Sequence, residues 1–139
     1  MGTNLRSKLS TKNPHYLDKH RYYELKHFCL QYPLWKKARN ALDGFKTSVA
    51  IEPTGVHGSA QHSSVETVVE ARLFYSEYMR LIEEAADEAS PALARFILIG
   101  VTEGLSYEHL KARLEIPCGK DMYYEAYRRF FYILDKTRK

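Results

Sequence analysis

The chain is poor in cysteine and has no long apolar run. Its two cysteines, Cys29 and Cys118, lie far apart in the sequence, which does not suggest a disulfide framework. No hydrophobic stretch is long enough to cross a bilayer, and the polar amino terminus lacks the apolar segment of a signal peptide. We therefore expect a soluble protein of a reducing, cytoplasmic compartment that does not bind a membrane.

Motifs of enzymes and metal sites are also missing. Neither cysteine has a Cys or His neighbour at the spacing of a zinc site, and no glycine-rich phosphate loop is present. Cys118 precedes a helix start, which favours a thiolate, but no partner for nucleophilic chemistry is evident. The acidic run at residues 83–88 is typical of a solvated helix face. We predict no catalytic residue, no metal and no cofactor.

Charge is distributed unevenly along the chain, whose net charge is +4. Residues 1–48 carry ten Lys/Arg against three acids, and residues 105–139 carry eight against five. Residues 66–103 carry three against eight, so two basic ends flank an acidic middle. Basic ends suit a polyanion. The basic aromatic block at residues 19–26 suits single strands or RNA, and the same residues would serve phosphate contacts on duplex DNA or contacts to polymerase.

Hydrophobic periodicity predicts an all-α fold, because apolar residues recur at helical spacing and no segment alternates like a strand. Residues 1–45 are interpreted as a basic arm and a helix broken at Tyr32–Pro33, which closes at Asp43–Gly44. Residues 46–63 are predicted to be a flexible loop. Residues 64–139 are predicted to hold a long helix and a helix-turn-helix, and the whole chain to form one compact domain.

The long helix is predicted at residues 64–89, where Ser63–Glu66 has the pattern of a capping box. Its apolar face is too wide for one neighbour to cover. Packing within the chain and a homodimer contact are both open explanations.

The segment from Ser90 to the end has the layout of a helix-turn-helix. Ser90–Pro91 opens an apolar helix that ends at Glu103–Gly104. Ser106 caps a short helix that ends near Leu114, and a turn leads into a last helix from about Lys120 to Lys136. Such a motif presents its second helix to the major groove of DNA.

The last helix is predicted to be two-faced, with an aromatic side buried and a basic side exposed. Side chains near its start are the candidates for base contacts, because the first turns of a recognition helix meet base edges: Lys120, Asp121, Tyr124 and Arg128. Candidates for phosphate contacts are Ser106, Lys111, Arg129, Lys136, Arg138 and Lys139.

This segment resembles the carboxy-terminal helix-turn-helix of sigma factors. The resemblance is carried by Glu103–Leu110, Leu114–Pro117 and Tyr127–Phe130 with Leu134. It implies that Ser106 starts the first helix of the motif and that the last helix is the recognition helix. The sequence departs from the sigma pattern where Pro117-Cys118-Gly119 replaces the usual Ser or Thr cap.

The order of segments is also similar to phage late-operon activators of the RinA and ArpU type. Tyr32–Pro33, the serine-rich stretch at 46–63 and the helix at 64–89 follow that order. The resemblance implies a phage or prophage transcription regulator in a bacterial host. Its expected partners are double-stranded DNA, RNA polymerase and a second copy. The alternatives are a DNA-packaging protein like a small terminase subunit, and a protein-interaction module acting on host polymerase.

Overall fold

A computed structural model describes the backbone of residues 14–51 and 58–138, and the side chains of residues 14–43 and 65–138. These residues are organised in α-helices, and no β-strand occurs among them. The all-α class is therefore confirmed. No helix within these ranges combines the length and the apolar character that a membrane span requires. Residues 1–13, predicted to be a basic arm, lie outside the described part.

The first two helices follow each other almost without a break. Helix α1 (Lys19–Leu30) is capped by Asp18, whose carboxylate accepts a hydrogen bond from the His20 backbone N–H at 3.0 Å. Gln31 forms a turn, and α2 (Tyr32–Ile51) begins directly after it. Pro33 occupies the first turn of α2, where its missing N–H leaves no helical hydrogen bond unmade.

Helix α2 continues beyond the end predicted at Asp43–Gly44. Asp43 lies inside the helix, and its carboxylate accepts a hydrogen bond at 2.6 Å from Arg72 of the next helix. A glycine inside a helix costs about 1 kcal/mol relative to alanine, which contacts elsewhere can offset. The predicted loop at 46–63 is helical at 46–51 and at 58–63, and residues 52–57 lie outside the described part.

The long helix α3 (Gly58–Ala89) begins six residues before residue 64, where the predicted capping box at Ser63–Glu66 placed its start. Three shorter elements follow: α4 (Ala94–Glu103), α5 (Tyr107–Leu114) and α6 (Lys120–Thr137). Helix α4 starts slightly later than predicted, because Ser90–Leu93 forms a turn in which the Ser90 hydroxyl accepts from the Leu93 N–H at 3.3 Å.

The chain divides into two compact units, where the sequence suggested one domain. The first contains the described residues of Met1–Gln31 and Leu81–Lys139, and the second is Tyr32–Arg80. Helix α3 contributes residues to both. In the first unit α1 packs on α4 and α6, and α4 and α5 pack on α6.

The core of the first unit is apolar and aromatic. Helix α1 buries Leu25 and Cys29 completely, and α5 does the same with Leu110. The rest of this core includes Phe96, Ile97 and Val101 of α4, Phe130, Phe131 and Leu134 of α6, and Ile82, Ala85, Ala86 and Ala89 of α3. Short helices such as α5 are marginal alone. Burial of Leu110 therefore holds α5 against the core of this unit.

The second unit is an antiparallel hairpin of α2 and the first part of α3. Trp35 and Tyr78 lie with ring centroids 5.2 Å apart. The Arg39 guanidinium donates to the Ser76 hydroxyl at 3.5 Å, and Arg72 pairs with Asp43 at 2.6 Å. The paired residue numbers rise along α2 and fall along α3, as expected for antiparallel helices.

Candidate nucleic-acid interface

Helix α5 is fixed at both ends by local chemistry. Its amino-terminal cap is Ser106, whose hydroxyl accepts a hydrogen bond from the His109 backbone N–H at 3.4 Å. The preceding turn contains Gly104 at φ 69°, in the left-handed region that glycine adopts without strain. The following turn passes through Glu115 at φ 52°, and Ile116 is fully buried there. These constraints set the spacing between α5 and α6.

The turn before α6 is held by a tyrosine of α5. The Tyr107 hydroxyl donates to the Cys118 carbonyl oxygen at 2.7 Å. Burial raises the pKa of the Cys118 thiol, and nearby Lys111 opposes this only in part. The thiolate that a helix start would favour is therefore not supported. Cys29, which is fully buried, also has a pKa raised by burial.

The inner side of α6 is an aromatic wall. Tyr123, Tyr127, Phe130 and Phe131 are each at most 5% exposed. Tyr127 and Phe131 meet edge to face at 5.0 Å, and such ring pairs add to the stabilisation from burial alone. The Tyr127 hydroxyl shares a buried 2.7 Å hydrogen bond with the Tyr22 hydroxyl of α1. Burial raises the pKa of Tyr127 well above its ordinary value.

Tyr124 belongs to this buried wall, and not to the exposed side where the sequence placed it. Its side chain is 3% exposed, and its hydroxyl accepts a hydrogen bond from the Tyr107 backbone N–H at 3.2 Å. Seven of the eighteen residues of α6 are buried, which is a wider face than two-sided periodicity suggests. Tyr124 cannot reach a base edge without leaving the core, so its predicted role as a base contact is wrong.

The other three candidates for base contacts remain accessible. Lys120 and Asp121 are exposed in the first turn of α6, and Arg128 is half-buried two turns later. The Lys120 ammonium lies 3.1 Å from the Glu108 carboxylate, with 46% of the lysine side chain and 64% of the glutamate side chain exposed. The pKa of Glu108 is lowered by its own backbone N–H and then by Lys120. This surface ion pair is weak enough for a phosphate or base to displace.

Two further exposed side chains of α6 were not among the candidates for base contacts. Met122 is 63% exposed, and Glu125 is exposed one turn after Asp121. The helical period alone places Glu125 between Asp121 and Arg128 on the outer face. Met122 could not be recognised as exposed from its apolar character.

The candidates for phosphate contacts divide into accessible and engaged residues. Lys111 and Lys136 are exposed, and the Lys136 ammonium lies 4.6 Å from the centre of the Tyr132 ring. Ser106 is half-buried and serves as the cap of α5. Lys139 lies outside the described residues.

Arg129 and Arg138 are used inside the fold. Arg129 donates to the Ala89 carbonyl oxygen at 2.7 Å and so satisfies the carboxy-terminal end of α3. The Arg138 guanidinium stacks 4.2 Å from the centre of the Phe28 ring. Both side chains are half-buried and already have a partner inside the fold, so their role as phosphate contacts stays a prediction.

The amino-terminal segment packs on the carboxy-terminal half of α6. The rings of His15 and Tyr132 meet edge to face at 5.3 Å. Burial, followed by the charge of Arg129, lowers the pKa of His15. Arg21 of α1 donates to the Asp135 carboxylate at 2.6 Å and to the Arg138 carbonyl oxygen at 2.5 Å. Access to α6 from solvent is therefore greatest in its amino-terminal half.

The basic aromatic block of α1 is mostly structural. Tyr22 is 2% exposed and packs edge to face on Phe131 at 5.1 Å, so it cannot stack on a base. Arg21 is engaged with α6, as described above. Lys26 has a different position, because it lines a cavity of about 290 Å³ together with Ser106, Glu108 and Lys120. The floor of this cavity is formed by Tyr124, Tyr127 and Phe131.

No group of three or more His, Cys, Asp or Glu side chains suited to a metal ion occurs in the described ranges. Comparisons with protein families, with curated proteins and with solved structures found no match to this chain.

Proposed function

We propose that this protein is a sequence-specific regulator of transcription that binds duplex DNA and reads the major groove with α6. The observation that carries the proposal is the exposure of the amino-terminal half of α6, whose opposite side is buried in an aromatic core. A helix held in this way can enter a groove without disturbing the fold. The resemblance to sigma factors and phage activators favours the same arrangement.

The revised set of base-reading residues follows from the exposed face. Lys120 and Arg128 offer donors to guanine, and Asp121 and Glu125 offer acceptors to the amino group of cytosine. Met122 offers an apolar contact to a thymine methyl group. Tyr124 is no longer included, because it is buried.

Phosphate contacts are proposed for cations beside this face. Lys111 and Arg113 are exposed in the last turn of α5. Lys26 lines the same cavity as Ser106, so a backbone phosphate at its mouth would meet the Lys26 ammonium group. Glu108 in the same lining opposes such a phosphate and would have to turn outward.

The resemblance to phage activators extends the proposal to the cellular setting. A regulator of this kind would act in the cytoplasm of a bacterial host on phage or prophage promoters. Host RNA polymerase would be a second partner, since an activator bound beside a promoter acts through the polymerase.

The test is a selection of binding sites from random duplexes, followed by a salt titration of the enriched site. We expect one enriched motif and an affinity that falls steeply with salt, because phosphate contacts release counterions. Arg128→Ala should weaken the site about 10–100-fold and relax its sequence preference. Lys111→Ala should weaken all sequences alike and reduce the salt slope by about 1.

The matched control is Arg80→Ala, because Arg80 is an exposed arginine of the other unit that pairs with Glu77. Its affinity and sequence preference should equal those of the unchanged protein. Failure to enrich any motif would refute the proposal. An Arg128→Ala variant with unchanged affinity and preference would show that α6 does not read the site.

A further inference from the structure

The exposed apolar side chains are concentrated in the hairpin of α2 and α3. Of the large hydrophobic residues that are exposed in the described ranges, Met122 alone lies in the first unit. The others lie in Tyr32–Arg80 and are Leu34, Val65, Val69, Leu73 and Phe74. Two helices can cover one side of each other only, so a hairpin needs further cover for any second apolar side.

One side of the hairpin is closed by polar contacts. The Arg39–Ser76 and Arg72–Asp43 pairs join α2 and α3 there. With about 100° of rotation per residue, Leu34 and Ala41 of α2 and Phe74 of α3 project from the opposite side.

We call this opposite side the hairpin face. Its exposed large apolar residues are Leu34 and Phe74, whereas Val65 and Val69 lie on the side of Arg72 and Ser76. Leu34 is 66% exposed and Phe74 is 50% exposed. The Phe74 ring lies 4.5 Å from the Tyr78 ring, and Tyr78 lies 5.2 Å from the buried Trp35. The row of rings therefore runs from the interior of the hairpin to solvent.

The edges of the hairpin face carry opposite charges. Lys37 follows Leu34 by one helical turn on the outer edge of α2, and Glu77 follows Phe74 on the outer edge of α3. Both are exposed. The Trp35–Tyr78 and Arg39–Ser76 contacts show that Lys37 and Glu77 lie at about the same height along the hairpin.

This charge pattern is self-complementary. A two-fold rotation about an axis parallel to the helices places α2 of one copy against α3 of the other, in antiparallel orientation. Lys37 of each copy then lies opposite Glu77 of its partner, and the apolar side chains of both hairpin faces are enclosed. The product is a four-helix bundle, whose geometry favours antiparallel neighbours.

We infer that the hairpin face binds a second copy of this chain. A partner of different sequence would have to reproduce both the apolar surface and the alternation of a basic and an acidic edge, which a second copy supplies by symmetry. This inference does not depend on DNA binding. A dimer formed here would carry two copies of α6.

The test is the molar mass of the full chain in solution, measured by sedimentation equilibrium over a range of concentrations. We expect twice the 16.2 kDa of the chain. Leu34→Glu and Phe74→Lys should each weaken the dimer at least about tenfold, because each buries a charge in the apolar face. A monomer at every concentration, or an assembly larger than a dimer, would overturn the inference.

Two variants serve as matched controls. The first is Leu73→Glu, because the Leu73 side chain is 58% exposed but projects away from the hairpin face. The second is Met122→Glu, which alters an exposed residue of the other unit. Both should remain dimers. Loss of the dimer in Leu73→Glu with retention in Leu34→Glu would place the contact on another surface. If circular dichroism shows that Phe74→Lys does not fold, the Leu34→Glu variant alone tests whether the hairpin face is the dimer contact.

Charge reversal gives an independent readout. Lys37→Glu and Glu77→Lys should each weaken the dimer severalfold, since each places like charges together at both edges. The double variant should recover most of the affinity, because the pairing is restored in reverse. Equal affinities for all of these proteins would show that the edges do not meet.

Discussion

The contact between Gly100 and Tyr123 gives the sharpest test of the packing behind α6. A Cβ atom on Gly100 would overlap the Tyr123 hydroxyl oxygen, far inside contact distance. Tyr123 is 1% exposed, and its hydroxyl has no hydrogen-bond partner among the described residues. Burial raises the pKa of this hydroxyl. The ring has little room to move, because Tyr107, Tyr124 and Tyr127 surround it.

Two opposing effects set the magnitude for Gly100→Ala. Overpacking costs about 2–3 kcal/mol, and the gain in helix propensity returns about 1 kcal/mol, so the variant should lose about 1–2 kcal/mol. Tyr123→Phe should gain about 1 kcal/mol, because it removes a buried hydroxyl without a partner. In the Phe background, Gly100→Ala should be neutral or stabilising. The coupling between the two sites is therefore about 2 kcal/mol.

The assay is urea unfolding monitored by circular dichroism. It compares the unchanged protein, Gly100→Ala, Tyr123→Phe and the double variant. A change of 1 kcal/mol also shifts Tm by about 3–6 °C for a chain of this length. Additive effects of the two substitutions would refute the close approach of Gly100 to Tyr123. A Tyr123→Phe variant that is destabilised by more than about 1 kcal/mol would show that the hydroxyl has a partner after all.

Three further predictions concern the first unit. Gly104→Ala should lower the free energy of unfolding in urea by about 1 kcal/mol, because Gly104 has a φ of 69°. Glu115→Gly, at φ 52°, should be stabilising or neutral. Equal losses in both variants would show that backbone strain is not the cause. Arg21→Met should lower the free energy of unfolding by about 1–2 kcal/mol, because it removes the hydrogen bonds that join α1 to the end of α6. As a control, Arg80→Met, at an exposed position, should change it by less than about 0.5 kcal/mol. The lowered pKa of His15 means that the fold favours its neutral form, so stability should fall as pH drops below the ordinary value of 6.5. His15→Phe should show a smaller loss of urea midpoint between pH 7.5 and pH 5, and an identical loss would remove His15 as a cause.

The exposure of side chains along α6 could be predicted from the sequence only in part. Lys120 and Asp121 stand where a helix start predicts accessible side chains, and the structure leaves both exposed. The same reasoning placed Tyr124 outside, although its ring is buried. Tyrosine is compatible with either side of a helix, so its position is decided by the neighbours that surround it.

The arginines show the same limit. The local sequence does not distinguish the roles of Arg128, Arg129 and Arg138, because it carries no information on the elements that pack against them. Arg129 meets the Ala89 carbonyl oxygen and Arg138 meets the Phe28 ring, over separations of 40 and 110 residues, respectively. Long-range contacts of this kind leave no local signal in the sequence.

What the sequence by itself determined are the features that arise within one turn of chain: the all-helical class, the Ser106 cap, the left-handed Gly104 and the limits of α5 and α6. These depend on φ preferences and on hydrogen bonds between residues a few positions apart. Tertiary structure alone decided that α2 passes through Gly44, that Tyr124 lies inside and that two cations are engaged. The reason is that each of these outcomes balances a local preference of about 1 kcal/mol against packing with residues distant in the chain.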